Sequence, residues 1–354
     1  MKSEISPWIS RWLLAGIVMV FFQILLGGIT RLTGSGLSIT KWEIVTGTLP
    51  PVNDDSWNEE FDKYKLTPQY QKINAGMSLS DFKFIFFWEY FHRLWARLIG
   101  FVFVLPLCVF LLRGMVSKGL LKKLGILFVL GVSVASMGWI MVASGLINRP
   151  WVNAYKLSLH LGLAIIVWSY LLWIYLSVSD LQERRSNRSS LFFYLVLFCF
   201  VQVLLGGVMS GMKAGLLYPT WPKMGNEWFP SVLLEKDNWS LDHFVQYDKY
   251  VTLAALTQFV HRTVAYVLAL LIFYVFFRKV NKSIYVGLSV SATYSPVVLV
   301  LVQIVLGILT VINCTGSIPL LWGVLHQGTG VLLLGSLIIT WYYSSYVDKA
   351  VSKL

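Results

Sequence analysis

The string Glu-Tyr-Phe-His-Arg at residues 89–93 lies in a long apolar segment, and Gln-Phe-Val-His-Arg at 258–262 has the same place in a later one. A second pair of strings follows the same pattern, since Leu-His-Leu-Gly at 159–162 is matched by Leu-His-Gln-Gly at 325–328. Two pairs of histidine strings in the same order, in apolar surroundings, indicate a chain built from two copies of one unit.

The composition is that of a membrane protein. Hydrophobic residues make up 56% of the sequence, charged residues 13%, and the mean hydropathy is +0.67, so an ordinary soluble domain is excluded. A helix needs about 20 apolar residues to cross the hydrocarbon core. Eight segments meet this requirement: about 12–30, 84–112, 124–146, 157–178, 191–210, 252–277, 284–312 and 321–346. The sequence therefore predicts an all-α integral membrane fold with eight transmembrane helices, the first of which is retained rather than cleaved.

Matched residues outside the histidine strings support the duplication. The positions that match at one constant offset are Gln23 with Gln202, Leu25 with Leu204, Leu26 with Leu205, Gly27 with Gly206, Gly28 with Gly207, Gly36 with Gly215, Leu37 with Leu216, Trp42 with Trp221 and Pro51 with Pro230. The offset then shortens because the first outer loop is longer, and Gly138 meets Gly307. We predict two tandem four-helix bundles in a parallel repeat, residues 1–180 with the outer loop 31–83, and residues 181–354.

Positive charge is concentrated in the short connections after the second, fourth and sixth apolar segments. These residues are Arg113, Lys118, Lys122, Lys123, Arg184, Arg185, Arg188, Arg278, Lys279 and Lys282. The positive-inside rule places these connections and both termini in the cytoplasm, and the histidines towards the outer face. The same asymmetry explains the formal net charge of +12, so no nucleic-acid partner is expected.

His92, His160, His261 and His326 are candidate metal ligands. A single histidine at a helix end is more often a packed side chain, but an imidazole in lipid is a functional hypothesis by default, and here the positions are duplicated. Zinc or copper would require further Cys, His or carboxylate donors near each pair. Haem supplies four nitrogens itself and needs only two axial ligands. We therefore predict a bis-histidine haem site in each half, without covalent attachment because the sequence has no CxxCH string.

The two halves differ beside these ligands. Glu89 lies one helical turn before His92, and its equivalent in the second half is Gln258. One interpretation is an ion pair of Glu89 with Arg93 or Arg97. The other is a carboxylate aimed at a haem edge, which would make the first site reactive and leave the second a fixed cofactor site.

Arg93 and Arg262 directly follow their histidines. The planar fork of arginine suits haem propionates, and snorkelling to the membrane interface is the alternative. The first outer loop is too hydrophilic to enter lipid, and we expect it to form a short amphipathic lid over the first site.

Several longer strings resemble the haem A synthase family, and most closely its branch found in mitochondria and related bacteria. They are Arg-Leu-Thr-Gly-Ser-Gly-Leu-Ser-Ile-Thr-Lys-Trp (31–42), Val-Thr-Gly-Thr-Leu-Pro-Pro (45–51), Tyr-Lys-Leu-Thr-Pro-Gln-Tyr (64–70), Met-Ser-Leu-Ser-Asp-Phe-Lys-Phe-Ile-Phe-Phe-Trp-Glu (77–89) and Ala-Gly-Leu-Leu-Tyr-Pro-Thr-Trp-Pro-Lys-Met (214–224). The resemblance spans almost the whole chain. The first outer loop lacks the cysteine pair that some members carry, so a thiol-based redox step is not expected.

The resemblance implies an oxidoreductase that acts on a CH group, converting the C8 methyl of haem O to a formyl by successive hydroxylations and so giving haem A for terminal oxidases. It assigns His261 and His326 to a haem B cofactor, and Glu89, His92 and His160 to the reaction on the substrate haem. The expected location is the bacterial cytoplasmic membrane, with the haem sites near its outer face. Expected partners are haem O, the haem O synthase (a farnesyltransferase), terminal oxidase assembly factors and further copies of the chain, and the electron acceptor is left open.

Two other functions remain open from the residues alone. A di-haem b-type cytochrome that passes electrons between quinol and an outer acceptor explains four histidines equally well. It does not explain why the first half has Glu89 at the position where the second half has Gln258. A haem transporter or chaperone is the third reading.

Overall fold

The computed structural model describes residues 6–40, 49–146, 149–179, 189–279 and 290–344. The α-helices in these ranges are α1 (Pro7–Leu32), α2 (Asp54–Lys65), α3 (Pro68–Lys72), α4 (Leu79–Leu112), α5 (Lys118–Ala143), α6 (Ala154–Ser179), α7 (Ser190–Gly211), α8 (Leu241–Val245), α9 (Thr252–Tyr274), α10 (Val290–Ile312) and α11 (Leu320–Tyr343). Among the described helices, eight are long and apolar enough to cross a membrane, which confirms the prediction of an all-α membrane protein.

Several helices begin before the apolar segments that predicted them. Ser78 accepts the N–H of Asp81 at the start of α4, and Ser117 accepts that of Leu120 at the start of α5. Pro7 stands in the first turn of α1, where its missing N–H is not needed. Polar first turns stabilised by such caps belong to the helix, although hydropathy alone excludes them. The predicted helical residues 284–289 and 345–346 lie outside the described ranges.

The chain forms two compact units, residues 1–168 and 169–354, which we call unit 1 and unit 2. The division falls within α6, whereas the sequence repeat predicts a boundary after it, and the two-bundle organisation stays a prediction. So does the orientation in the membrane, because Arg184, Arg185, Arg188 and Lys282, on which it partly rests, lie outside the described residues.

In unit 1, α1 and α4 run antiparallel in a fixed register. The indole of Trp12 donates to the carbonyl of Val102 at 2.7 Å, and that of Trp95 donates to the carbonyl of Met19 at 2.9 Å. Indole N–H groups in an apolar interior need a partner, and backbone carbonyls supply it here. These bonds fix which residues of α4 lie beside the C-terminal end of α1.

In unit 1, α2 and α3, which we call the cap, fold against the first turns of α4. At 34 residues, α4 is about 51 Å long, which exceeds the hydrocarbon core of about 30 Å, so part of it extends beyond the membrane. The buried side chains that join the cap to α4 are Phe61, Tyr64, Phe82, Ile85 and Phe86. Burial of each contributes about 2 kcal/mol towards holding the cap against α4.

Polar contacts connect the cap to the segment after α1. The amide of Gln69 donates to the carbonyl of Gly34 at 2.9 Å. The hydroxyl of Tyr64 donates to Gln69 Oε1 at 3.1 Å and accepts from Asn74 at 2.7 Å. Ile39, a few residues further on, packs against the apolar cluster of the cap. The segment 33–40 is therefore held between the cap and α4.

Candidate functional site

His160 and His326 occupy the same position in the second turns of α6 and α11. Nδ1 of His160 lies 3.1 Å from the carbonyl oxygen of Val134, and Nδ1 of His326 lies 3.1 Å from that of Gln303. A carbonyl only accepts hydrogen bonds, so each Nδ1 carries the ring proton and each Nε2 keeps its lone pair. Metal-ligating histidines are commonly oriented in this way.

Glycines make room for these two imidazoles. A Cβ atom at Gly138 would lie 3.0 Å from Cε1 of His160, and one at Gly307 would lie 3.0 Å from Cε1 of His326. Real Cβ contacts are rarely so short, so any side chain at either position would displace the ring. The two glycines were matched in the sequence, and the structure supplies the reason for them.

His92 on α4 and His261 on α9 are also held alike. Gln23 donates to the backbone carbonyl of His92 at 3.1 Å, and Gln202 donates to that of His261 at 2.9 Å. The side-chain Oε1 atoms of both glutamines are buried and, among the residues that the structure describes, have no hydrogen-bond partner. Buried polar atoms are normally paired, so an orphan beside each histidine is a feature that a bound group could complete.

Helices α1 and α7 also approach these rings closely. A Cβ atom at Gly27 would lie 3.5 Å from His92 Nε2, and one at Gly206 would lie 3.3 Å from His261 Cε1. Gly27 and Gly206 therefore allow α1 and α7 to pack closely against the helices that carry these histidines.

The structure brings the histidines together in the two predicted pairs. The ring centres of His261 and His326 are 6.4 Å apart, with their planes at 74°. When two imidazoles bind one metal from opposite sides through bonds of about 2 Å, their ring centres lie about 6 Å apart. In unit 1, His92 and His160 are close enough to interact electrostatically. The donor set of His261 and His326 thus fits a haem with two axial imidazoles, and His92 and His160 hold the equivalent positions in unit 1.

Glu89 is buried, with 3% of its surface exposed, and both of its carboxylate oxygens are hydrogen-bonded. Oε2 accepts from the hydroxyl of Ser38 at 2.7 Å and from the N–H of Ile39 at 2.9 Å. Oε1 accepts from the guanidinium of Arg93 at 2.5 Å. A buried carboxylate is stable only when it is paired in this way. The ion pair with Arg93, one of the two interpretations of Glu89, is therefore present.

The equivalent position in unit 2 is built differently. The amide nitrogen of Gln258 donates to the carbonyl of Tyr218 at 2.9 Å, and Arg262 donates to the same carbonyl at 3.0 Å. Tyr218 is the counterpart of Ile39, whose carbonyl accepts from Arg93 at 3.2 Å. Both arginines thus bind the segment that follows α1 or α7. No sequence pattern indicated this contact, and the binding of propionates by these arginines stays a prediction.

Two further polar residues at the sites were missed. Ser38 lies in a loop string that looks ordinary, and only its contact with Glu89 reveals it. Gln303 was detectable as an amide within the apolar segment 284–312, where its counterpart is Val134. Its side-chain nitrogen lies 3.4 Å from Nε2 of His326.

A tyrosine of the cap lies within electrostatic reach of the carboxylate. Burial raises the pKa of Tyr64 to about 12, and the negative charge of Glu89 raises it as well. The phenol therefore stays protonated throughout the neutral range and remains a hydrogen-bond donor.

Comparison with known proteins gives one consistent result. The chain is similar to heme A synthase of Flavobacterium psychrophilum, with 38% identity over 334 residues, which is 92% of this chain and 94% of the relative. It is 40% identical to heme A synthase of Nitrosospira multiformis over 340 residues, covering 94% and 92% of the two chains. The corresponding enzyme of Bradyrhizobium diazoefficiens is 39% identical over 330 residues, covering 91% and 88%.

The family match covers all four histidines and Glu89. Residues 10–338 match the COX15-CtaA family, whose description is cytochrome oxidase assembly protein. The match extends over nearly all of the eight apolar helices described above. The chain therefore belongs to the COX15-CtaA family of cytochrome oxidase assembly proteins.

Proposed function

We propose that this chain oxidises the C8 methyl group of haem O to a formyl group, with the substrate haem in unit 1 and a haem B cofactor in unit 2. The relatives named heme A synthase support this reaction, since they share 38–40% of their residues with the chain over most of its length. The assignment of the two haems to the two units rests on the chain's own asymmetry.

The observation that carries this assignment is a carboxylate in one unit and an amide in the other. The two sites share matched imidazole, glycine and glutamine contacts, yet Glu89 in unit 1 is replaced by Gln258 in unit 2. A developing positive charge on a methyl carbon conjugated to the porphyrin is stabilised by a fixed negative charge nearby. Unit 1 offers that charge at this position and unit 2 does not.

In this proposal the residues of unit 1 hold and orient the substrate. His92 and His160 bind the iron of haem O as axial ligands, and Glu89 lies one helical turn from His92. Two successive hydroxylations convert the methyl to a geminal diol, which loses water to give the aldehyde. With water as the source of oxygen, each hydroxylation releases two electrons and two protons. In this proposal Glu89 stabilises positive charge or accepts a proton from the attacking water.

The residues of unit 2 hold the resident cofactor. His261 and His326 would bind haem B, which when bound supplies one-electron redox capacity for passing on the electrons that the reaction releases. The N–H of His326 Nδ1 donates to the carbonyl of Gln303, which leaves Nε2 as the nitrogen that would hold the iron. Unit 2 has the amide of Gln258 rather than a carboxylate at the position equivalent to Glu89, which suits a cofactor that is not itself modified.

The setting of the reaction is part of the proposal. We place the sites near the outer face of a bacterial cytoplasmic membrane, because Arg113, Lys118, Lys122 and Lys123 form a positive connection between α4 and α5. Both termini are then cytoplasmic. A haem O synthase that delivers the substrate, and assembly factors of a terminal oxidase that take up haem A, are the partners that this role requires. Self-association into a homo-oligomer is the remaining expectation.

A di-haem electron-transfer cytochrome is the second candidate, and the matched imidazole geometry of the two units favours it. Electron transfer alone, however, gives no reason for a carboxylate at one haem site and an amide at the other. The carboxylate of Glu89 in unit 1, where unit 2 has the amide of Gln258, therefore favours the enzyme.

The test is expression in a bacterial host that makes haem O but lacks its own haem A synthase. Haems extracted from the membranes are separated by chromatography and identified by mass. The proposal predicts haem A only in cells that carry the chain. Persistence of haem O alone, with the protein present in the membrane and loaded with haem B, would support the electron-carrier reading instead.

A further inference from the structure

Ser38 is almost completely buried, although it lies in a connecting segment. Only 1% of its surface is exposed, although it follows α1 outside the regular helix. The N–H of Ser35 donates to the carbonyl of Thr30 at 2.9 Å, and the N–H of Ser38 donates to that of Ser35 at 3.0 Å. These bonds form consecutive turns that fix the backbone of Ser38 beside Glu89.

The bond from Ser38 to Glu89 has no counterpart in unit 2. At the offset that matches Gln23 with Gln202, Ser38 corresponds to Leu217, and Glu89 corresponds to Gln258. Unit 1 therefore pairs a hydroxyl donor with a carboxylate, and unit 2 has an apolar side chain and an amide at the equivalent positions. In keeping with this, Oε1 of Gln258 has no hydrogen-bond partner among the residues that the structure describes.

The remaining donors to Glu89 are tied to the same short segment. Oε2 accepts from Ile39 N–H beside the Ser38 hydroxyl, and Arg93, which bonds Oε1, also donates to the Ile39 carbonyl. The Ser38 hydroxyl is the one side-chain donor to Oε2 among these, and together with Ile39 N–H and Arg93 it restricts the rotation of the carboxylate about its last bond. Its removal would leave Oε2 with the N–H of Ile39.

We infer that Ser38 is a positioning residue, which holds the carboxylate of Glu89 in the orientation that oxidation of haem O requires. The inference rests on the proposed function, because it acts through the role assigned to Glu89. A hydrogen bond to a charged group is among the stronger ones in proteins, and its loss is expected to slow the reaction about 10- to 100-fold. Binding of haem O, which depends on His92 and His160, should be almost unaffected.

A double-mutant cycle tests this inference. The variants are Ser38→Ala, Ser38→Thr, Glu89→Gln and the Ser38→Ala/Glu89→Gln pair, with Leu217→Ala as the matched control in unit 2. Conversion of haem O to haem A is measured in membranes with equal haem B content, and haem O affinity is measured by spectral titration. We expect Ser38→Ala to slow conversion without weakening haem O binding, and Ser38→Thr, which keeps the hydroxyl, to restore most of the rate. Leu217→Ala should have little effect.

The decisive comparison is made in the Glu89→Gln background. If Ser38 acts through Glu89, Ser38→Ala should cause no further loss there. An equal further loss in that background, or normal conversion by Ser38→Ala when Glu89→Gln is inactive, would overturn the inference while leaving the proposed function intact. If the unmodified chain itself makes no haem A, the proposed function fails and the inference fails with it.

Discussion

Gly307 and His326 lie so close that a Cβ atom on the glycine would stand 3.0 Å from Cε1 of the imidazole. The ring cannot retreat freely, because its Nδ1 is bonded to the carbonyl of Gln303 at 3.1 Å. Gly307→Ala should therefore tilt the imidazole away from the iron. Changes of this kind in residues that orient a metal ligand commonly weaken binding about 10-fold or more.

The measurement for Gly307→Ala is the haem B content of the purified protein. Gly131→Ala is the matched control, since a Cβ atom there would meet nothing within 4 Å. Gly138→Ala, the equivalent change in unit 1, should leave haem B in place and weaken binding of haem O. Full haem B in Gly307→Ala would show that the close contact has no bearing on ligation.

Removal of the ligands themselves should separate the two units. His261→Ala or His326→Ala should abolish the low-spin b-type spectrum of the tightly bound haem, because one axial imidazole is lost. His92→Ala should largely spare that spectrum. Retention of haem B in the His261→Ala/His326→Ala variant would contradict its assignment to unit 2.

Charge asymmetry predicts the orientation of the chain in the membrane. In a background without Cys108, Cys199 and Cys314, an impermeant thiol reagent should label Asn58→Cys in the cap of intact spheroplasts. Lys118→Cys, at the start of α5, should be labelled only after the membrane is opened. The reverse pattern would place the cap and both haem sites on the cytoplasmic side.

The stability of the cap should depend on alkaline pH through Tyr64. Burial raises its pKa to about 12, whereas an unfolded tyrosine titrates near pH 10. Between these values the unfolded chain has lost the proton and the folded cap still holds it, so the stabilisation is complete below about pH 10 and falls as the pH rises towards 12. Limited proteolysis of the cap should accelerate over this window. In Tyr64→Phe the acceleration should be smaller, and an equally steep rise would assign the effect to other groups.

The features that could be predicted from the sequence are those that follow from its composition and its internal repeat. Long apolar runs predicted eight spanning helices, and the duplicated strings around His92 and His261 predicted which residues are equivalent. The pairing of His92 with His160 followed from the same repeat. These features depend on residue type at regular spacing, which a single sequence displays directly.

Contacts between residues that are distant in the sequence could not be predicted from the sequence. The cap is held by Phe61 and Phe82, which come together only once α2 folds back on α4. Ser38 and Glu89 are far apart in sequence and meet through two consecutive turns after α1. The repeat identified Gly138 as a matched glycine. The structure shows that a glycine is needed there because the imidazole of His160, on another helix, packs against it.

The most direct test of the account is the production of haem A by Glu89→Gln. This substitution changes the volume little and gives unit 1 the residue that unit 2 has at Gln258. The protein and its haem B should remain, while loss of one electrostatic contribution should slow the reaction by about 10²- to 10³-fold. We expect haem O or a partly oxidised form to accumulate and haem A to be nearly absent, and the reciprocal Gln258→Glu to create no new activity. Near-normal haem A from Glu89→Gln, at matched protein levels, would reduce Glu89 to an ion-pair partner of Arg93 and contradict the account.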